Sequence, residues 1–198
     1  MMRPLFVLLA LPILFSCGGD ESPQVSVPAE SSASAPPATE VAQGPTGALT
    51  MPDWYSIDDA TRSVHLTLKL GTTAVNNYWN FHGTTGGAMA ITVPLGYEVT
   101  VDVVNADPNM GHGIGVAPVP TDLMSPPPAD PAFAGAITDN PRSMIDSTMP
   151  GESETFRFVA DVAGPYALVC HVPGHLALGM WARFNVSASG ERGVQIGE

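Results

Sequence analysis

Alternation of apolar and polar residues along the chain predicts a protein built from short β-strands. In SVHLTLKL, residues 63–70, every second position is Val or Leu, which is the period of a half-buried strand. The aromatic run NNYWNFHGT is also interpreted as a strand. Further runs with strand character are AMAITV, YEVTVDVVN, GIGVAPV, SETFRFVA, GPYALVC and MWARFNV. Pro94 and Gly96 separate two of these runs and indicate a turn between them.

Seven to eight short strands joined by turns rich in Gly and Pro predict an all-β domain, a β-sandwich that occupies residues 51–189. The 20 Gly and 20 Pro among 198 residues suit many short strands better than long helices. Residues 120–150 form a long Pro-rich connection to which we assign no regular structure. Residues 190–198 are expected to be a C-terminal tail.

The first residues of the chain, 1–16, have the features of a secretory signal. Arg3 is followed by an apolar run over residues 5–15 and then by the small Ser16. This run is too short to span a membrane comfortably. The closing letters LFSC are similar to a bacterial lipobox, so we predict that Cys17 becomes the first mature residue and carries lipid. Cleavage by an ordinary signal peptidase, with an incidental Cys17, is the alternative.

Residues 17–50 contain no aromatic side chain and are rich in Ser, Ala and Pro. Such a segment has too little apolar surface to bury, so we predict a flexible, disordered tether. With a lipid at one end and the folded domain at the other, the tether would let the domain move some distance away from the membrane surface.

The chain is strongly acidic, because seven Lys and Arg residues stand against 19 Asp and Glu residues and give a formal net charge of -12. This charge argues against binding to nucleic acid or to an anionic membrane surface. It suits a partner with a basic docking face, although solubility explains the acidity equally well.

The segment CHVPGHLALGM places three soft metal-binding side chains at regular steps, namely Cys170, His175 and Met180. At the frequencies of His and Met in this chain, a given Cys would be followed by this pair about once in a thousand cases by chance. The Pro-Gly dipeptide inside the segment predicts a turn. One loop between two strands would therefore bring the three side chains to a single point.

Two His, one Cys and a weak axial Met form the site of blue-copper electron carriers. The second His has to come from elsewhere, and His112 in NADPNMGHGIGV follows a predicted strand in a segment rich in turn residues. If Cys17 is lipidated, Cys170 has no disulfide partner, which leaves burial or a metal as its role. Zinc is disfavoured because Met is a poor zinc ligand. A dinuclear copper centre is disfavoured because it needs two Cys in one loop.

Three segments of the sequence resemble the cupredoxin family, and within it sulfocyanin and the rusticyanin-like proteins. They are YWNFHGT, PLGYEVTVDVVNADPNMGH and GPYALVCHVPGHLALGMWARFNV, and the similarity extends over about residues 64–186. The resemblance implies a Greek-key β-sandwich of the cupredoxin type that binds one type 1 copper. It also implies the copper ligands His112, Cys170, His175 and Met180.

The residue after the first ligand departs from the family pattern. Many cupredoxins have Asn or Ser there, which helps to lock the two ligand loops together, whereas this chain has Gly113. The departure leaves the ligand set intact but raises the question of what keeps the loops rigid. The backbone N–H of Gly113 is still able to donate to the Cys170 thiolate.

The other histidines are expected to bind no copper. His171 adjoins Cys170, but the chain lacks the further H-x-H pairs that a multicopper oxidase needs, so His171 is interpreted as a non-ligand. His65 and His82 are expected to be structural or solvated. Five scattered methionines are interpreted as core or loop residues: Met89, Met110, Met124, Met144 and Met149.

The neighbours of the predicted ligands are mostly apolar, and low polarity favours the less charged Cu(I) state, so we predict a relatively high reduction potential. We also expect an apolar patch around an exposed edge of His175, which would act as the electron port and as a short-lived docking site. Trp181 is the neighbour best suited to the core instead. The neighbours are Val172, Pro173, Leu176, Ala177, Leu178 and Trp181.

These observations predict a membrane-tethered blue copper protein that is not an enzyme and that carries single electrons by Cu(I)/Cu(II) cycling. We expect a lipid-anchored monomer in the periplasm or another extracytoplasmic space. Resemblance to sulfocyanin implies respiratory partners such as a cytochrome complex or a terminal oxidase. The main alternative is a periplasmic protein that binds or delivers copper. A copper enzyme such as a nitrite reductase needs a second copper bound by several His, and this chain has five His in all.

Overall fold

The computed structural model describes residues 44–197, and within that range the chain forms nine β-strands and one short 3₁₀ helix. The predicted signal, Cys17 and most of the predicted tether lie outside the described residues. The 3₁₀ helix covers Val75–Tyr78. The strands are β1 (Tyr55–Asp58), β2 (Ser63–Leu70), β3 (Met89–Pro94), β4 (Glu98–Asn105), β5 (Ile114–Pro118), β6 (Ser153–Val159), β7 (Gly164–Cys170), β8 (Trp181–Ser187) and β9 (Gly193–Ile196).

The strands form two sheets, which confirms the predicted all-β sandwich. One sheet has the order β1-β2-β4-β6, and the other has the order β5-β7-β8-β3-β9. The pairs β2–β4 and β3–β8 are parallel, whereas the other neighbours are antiparallel. Because β3 lies between β2 and β4 in the chain but belongs to the other sheet, the chain crosses from one sheet to the other at this point. Within residues 44–197, no helix has the length and apolar character needed to cross a membrane.

The two-residue alternation places the core where the pattern predicted it. The alternating apolar residues of β2, β4 and β6 are buried, and most residues between them are exposed or half-buried. The alternation ends at the last two residues of β4, where Val104 is half-buried and Asn105 is buried, and at the exposed Val159 of β6. They pack against apolar residues of β3, β7 and β8 in one continuous cluster between the sheets. Each large aliphatic side chain buried in this way stabilises the fold by about 1.5–3 kcal/mol, which outweighs the small strand propensities.

The second sheet is also covered on its outer face. The last four residues of β7 are all buried, and Val169, Leu176 and Trp181 belong to a second apolar cluster on this side, against which Leu123 packs. A strand buried on both faces has a continuous apolar run rather than an alternating one, as in YALVC. Trp181 is thus a core residue, as predicted.

The Pro-rich connection over residues 120–150 has no helix or strand of its own, yet it is attached to the sandwich. Ile137 forms an isolated bridge with Gly115 of β5, and Thr148 forms one with His112. The connection therefore reaches the end of the sandwich at which β5 begins.

Two predictions about single elements are wrong. NNYWNFHGT is not a strand, because Asn76, Asn77 and Tyr78 have positive φ and the run makes only isolated bridges, at Phe81 and Thr84. Asn tolerates the left-handed region, which breaks the extended run. The predicted C-terminal tail contains β9, which pairs with β3 and buries Val194. With β1 and β9 added and the aromatic run removed, the described residues form nine strands instead of seven to eight.

Candidate metal centre

The antiparallel pair β5–β7 brings the predicted ligands to one end of the sandwich. β5 begins at Ile114, which is paired directly with Cys170, the last residue of β7. His112 comes just before β5 and is therefore carried to the side of Cys170. His175 and Met180 lie in the loop between β7 and β8, so they start from the same strand end.

The ligand atoms of His112, Cys170 and His175 form a compact triangle. The Nδ1 atoms of the two histidines are 3.2 Å apart, and the Cys170 Sγ lies 3.8 Å from His112 Nδ1 and 3.4 Å from His175 Nδ1. A metal bound at about 2.0–2.3 Å to nitrogen and sulfur, with angles near the tetrahedral value, requires ligand atoms roughly 3.2–3.9 Å apart. The triangle therefore fits one metal ion. All three side chains are buried, so the site is closed to solvent.

Met180 belongs to the same hydrogen-bonded frame. Its backbone N–H donates to the carbonyl of His175 at 2.9 Å, and its carbonyl accepts from the N–H of Cys170 at 3.1 Å. Its side chain is fully buried. The three residues of the C-x4-H-x4-M motif are thus fixed to one another by the backbone.

The loop after Cys170 is formed by two turns. In the first, the N–H of His175 donates to the carbonyl of Val172 at 3.2 Å, and Gly174 has a φ of 86°, as a type II turn requires. The second turn ends at Gly179, which has a φ of 90°. Both turns close by hydrogen bonds within the loop. Local contacts therefore hold this loop in shape.

His112 is oriented by a buried carboxylate that the sequence analysis missed. The Nε2 atom of His112 lies 2.9 Å from Oδ2 of Asp107, and both side chains are buried. Because a carboxylate accepts, Nε2 carries the proton and Nδ1 keeps a lone pair for a metal. Asp107 lies five positions before His112 in a turn-rich segment. That spacing is also typical of an ordinary turn residue, so the sequence did not single it out.

More distant residues hold the rest of the His112 loop. The N–H of His112 donates to the carbonyl of Thr148 at 3.1 Å. The side-chain amide of Asn105 donates to the carbonyls of Met110 and Thr148, each at 2.8 Å. The end of the Pro-rich connection is thereby joined to the loop.

Pro141 explains why Gly follows His112. A Cβ atom added at Gly113 would lie 1.9 Å from the Pro141 carbonyl oxygen, far inside van der Waals contact. The connection thus packs against the backbone at the position where the family pattern has an Asn or Ser side chain. The backbone N–H of Gly113 donates to the Cys170 sulfur, as predicted, and the N–H of Val172 does the same.

Burial keeps the three donor groups uncharged when no metal is bound. Burial raises the pKa of the Cys170 thiol to about 12, against the opposing effect of the two N–H donors. Burial lowers the pKa of His175 to about 4, and the neighbouring His112 adds to the decrease. Burial also lowers the pKa of His112, which its hydrogen bond to Asp107 opposes. A bound cation would replace the thiol proton, since the thiolate is the form that binds metals.

The predicted exposed edge of His175 is wrong. His175 is only 1% exposed, because the indole ring of Trp79 stacks on it with ring centroids 4.0 Å apart and planes inclined by 17°. Val172 and Leu176 of the predicted apolar patch are buried as well, whereas Leu178 is 57% exposed. The cover comes from the 3₁₀ turn, far from His175 in the sequence, so the motif gave no sign of it.

The other histidines lie outside the triangle. His171 is buried, neither ring nitrogen has a hydrogen-bond partner among the described residues, and burial lowers its pKa to about 4 with help from Arg142. His82 stacks on Trp54 with centroids 4.3 Å apart. His65 is exposed and pairs with Asp102 at 2.6 Å. These three therefore have structural or surface positions.

Residues 54–193 match the family model of the sulfocyanin (SoxE) domain. The chain belongs to the sulfocyanin family. The sulfocyanin of Sulfolobus acidocaldarius is 30% identical over 132 residues, which make up 62% of this chain and 63% of that protein. The match therefore spans less than two thirds of the length of the sulfocyanin relative.

Similar solved structures include a dithionite-reduced auracyanin from Roseiflexus castenholzii. It is 24% identical to this chain, the match covers 62% of this chain and 96% of that chain, and the TM-score is 0.43. Rusticyanin from Thiobacillus ferrooxidans has 24% identity, covers 68% of this chain and 87% of its own, and gives a TM-score of 0.45. Membership of the sulfocyanin family identifies the protein as a cupredoxin. Together with the soft His-Cys-His donor triangle, it identifies the cofactor as one type 1 copper.

Proposed function

We propose that this sulfocyanin-family protein is an electron carrier whose copper is held by His112, Cys170, His175 and Met180. The observation that supports this most strongly is the closed and buried triangle of two imidazole nitrogens and one sulfur. Copper, when bound, supplies a one-electron couple between Cu(I) and Cu(II). The protein's part is to offer the same donor set to both states.

The donor atoms are held so that they have little freedom to move. Asp107 fixes the ring of His112 through Nε2, and the turn at Gly174 fixes the backbone of His175. The Cys170 sulfur accepts two backbone N–H bonds, which stabilise its negative charge without a nearby cation. A donor set that barely rearranges between two charge states keeps the reorganisation energy of electron transfer small.

The surroundings favour the reduced state. The three donors and Met180 are buried, and Val172 and Leu176 beside them are 1% and 4% exposed. A site with little access to water stabilises the less charged Cu(I) form, so we expect a relatively high reduction potential. Met180, whose side chain is fully buried, would hold the copper as a weak thioether ligand, which would act in the same direction.

We further propose an extracytoplasmic location with a lipid on Cys17 and a tether that begins at residue 17. The predicted end of the tether at residue 50 is corrected, because Thr50 forms a bridge with Val194 and is attached to β9. The signal-like N-terminus and the lipobox-like LFSC support this part of the proposal. Redox proteins of a respiratory chain, such as a cytochrome complex or a terminal oxidase, are the proposed partners. The net charge of -12 suits a partner with a basic docking face.

The test is the visible absorption spectrum of the copper-loaded protein, beside Cys170→Ser and the matched control His171→Gln. We expect an intense thiolate-to-copper band that disappears on reduction, is absent from the Cys170 variant and is retained in the His171 variant. The control removes the adjacent histidine, which lies outside the donor triangle.

A weakly coloured protein that releases copper readily to a chelator would contradict the proposal. The copper-delivery alternative would then be preferred, because a delivery protein needs an exchangeable site. The buried donor triangle instead favours slow exchange.

A further inference from the structure

The metal centre has no side chain of its own at the protein surface. His112, Cys170 and Met180 are fully buried, and His175 is 1% exposed. On the outer side of His175 lies Trp79, which is half-buried and therefore touches both the ligand and the solvent. The indole ring of Trp79 thus lies between His175 and the solvent.

The position of Trp79 is fixed by an unusual turn. Asn76, Asn77 and Tyr78 have φ values of 52°, 55° and 67°, a left-handed run that costs conformational energy. The side-chain amide of Asn76 donates to the Trp79 carbonyl at 2.9 Å and to the Leu178 carbonyl at 2.7 Å. It therefore joins the turn to the loop that carries His175.

The stack itself sets the ring orientation of Trp79. Its indole Nε1 is buried and has no hydrogen-bond partner among the described residues. No polar contact therefore competes with the parallel arrangement against His175, whose ring is inclined by only 17°. A strained turn that presents one ring to one ligand is expected to be retained for a function rather than for stability.

We propose that Trp79 is the positioning residue through which electrons pass between His175 and a redox partner. This inference rests on the proposed electron-carrier function. In each transfer one electron leaves the reduced centre and one oxidised acceptor gains it, with no bond formed, no proton moved and no oxidation of the indole. The two stacked rings give the electron a continuous path of π contacts, whereas a gap filled with water would couple the centre poorly.

The surface beside Trp79 suits close approach of a partner. Val75 in the same turn is 52% exposed, and Leu178 of the ligand loop is 57% exposed. The hydrogen bond from Asn76 holds these two segments together. A partner that contacts these two side chains comes near the outer side of the indole without having to displace it.

The experiment is to measure electron self-exchange between the reduced and oxidised copper-loaded protein, from NMR line broadening in mixtures of the two forms at high salt. Self-exchange has no driving force, so a small change in potential does not affect the comparison, and salt screens the repulsion between acidic molecules. We expect Trp79→Ala to lower the self-exchange rate constant about tenfold, because the ring stacked on His175 no longer positions the path for the electron. Trp79→Phe should restore most of it.

Trp54→Ala is the matched control, since Trp54 also stacks on a histidine, His82, at 4.3 Å and 15°. Its rate constant should equal that of the unaltered protein. The visible band should change little in every variant, because neither tryptophan is a ligand. The reduction potential should fall in Trp79→Ala, where His175 gains access to water, and self-exchange is insensitive to that change. If the alanine variant fails to hold copper, Trp79→Leu makes the same test, because Leu fills space but has no π system.

A second readout uses the copper-free protein. A soluble gadolinium chelate should relax the His175 ring protons more strongly in Trp79→Ala than in the unaltered protein or in Trp54→Ala. Equal self-exchange in all variants would overturn the inference. Faster exchange in Trp79→Ala would also overturn it, because Trp79 would then insulate the centre. An unaltered protein without the thiolate-to-copper band would be a failure of the proposed function itself, and the inference would fall with it.

Discussion

The two loops that carry the histidines are held in opposite ways. The loop with His175 is shaped by its own turns, whose hydrogen bonds close within a few residues. The loop with His112 depends on other parts of the chain: Asn105 at the end of β4 and Thr148 and Pro141 in the Pro-rich connection. One half of the metal centre is therefore encoded locally, and the other half is stabilised by tertiary contacts.

The sharpest way to test this difference is to add one methyl group to each loop. Gly113→Ala places a Cβ 1.9 Å from the Pro141 carbonyl oxygen, and the three nearest atoms all belong to the Pro141 backbone, which cannot turn aside as a flexible side chain can. We expect the free energy of unfolding to fall by about 3 kcal/mol, from overpacking against backbone. Urea denaturation of the copper-free protein measures it.

The control for this prediction is Gly174→Ala in the other loop. A Cβ at Gly174 meets nothing within 4 Å, so only the strain of its φ of 86° remains. That strain should cost about 1 kcal/mol. Equal costs at the two glycines would show that the loops are held alike.

The dependence of stability on pH provides a second contrast between the loops, because His112 has a carboxylate hydrogen-bond partner and His175 has none within residues 44–197. Asp107 accepts from His112, whereas the pKa of His175 is lowered to about 4 by burial and then by His112. The unfolded chain binds a proton at His175 near pH 6.5, before the folded protein does. The part of the copper-free protein's stability that depends on neutral His175 should therefore be complete above pH 6.5 and fall by about 3 kcal/mol as the pH falls to 4, and buried His171, whose pKa is also about 4, should add a further loss.

The check is urea denaturation of the copper-free protein at several pH values, repeated with His175→Gln. The variant has no titrating group at this position, so its stability should fall less steeply over the same range. An equally steep decrease in the variant would assign the acid sensitivity to other groups.

The smallest of the three effects concerns the carboxylate behind His112. Asp107→Asn keeps the size of the side chain but removes the negative charge of the group that accepts the hydrogen bond from Nε2–H of His112. We expect copper affinity to fall by about 10- to 100-fold, as is typical when the hydrogen-bond partner of a ligating His is changed. Competition with a chelator measures it.

Asp102→Asn offers the comparison, because Asp102 pairs with His65 in an exposed position far from the donor triangle. Its effect on copper affinity should be negligible, since exposed pairs contribute little. If both variants bind copper as tightly as the unaltered protein, the buried carboxylate does not orient His112.

The local character of one loop also explains how much the sequence could predict. The C-x4-H-x4-M spacing and the strand alternation depend on neighbours in the chain. The alternation gave β7 and β8, and the spacing singled out Cys170 and His175, whose side chains lie together in the structure. His112 was found only because a blue-copper ligand set requires a second histidine. Its burial beside Cys170 follows from the pairing of β5 with β7, which alternation alone does not specify.

Apart from the nearby Asp107, the contacts that escaped prediction join distant segments. Trp79 covers His175 from a turn before β3, and Pro141 reaches Gly113 from the long connection. Both come from segments without regular periodicity, so neither a two-residue nor a helical pattern marks them. The short β9 was missed for a similar reason, because four residues of mixed polarity carry too weak a pattern to predict a strand.

The bridge between Thr50 and Val194 has a mechanical consequence. Thr50 is attached to β9, which forms one edge of the five-stranded sheet, and β5 forms the opposite edge. At a strand spacing of about 4.8 Å, the two edges are roughly 19 Å apart. A pulling force applied to the chain before Thr50 would therefore act first on its bridge to Val194, at the β9 edge of this sheet. His112 precedes β5, so tension on an anchor would be applied at the edge of the sheet opposite to His112.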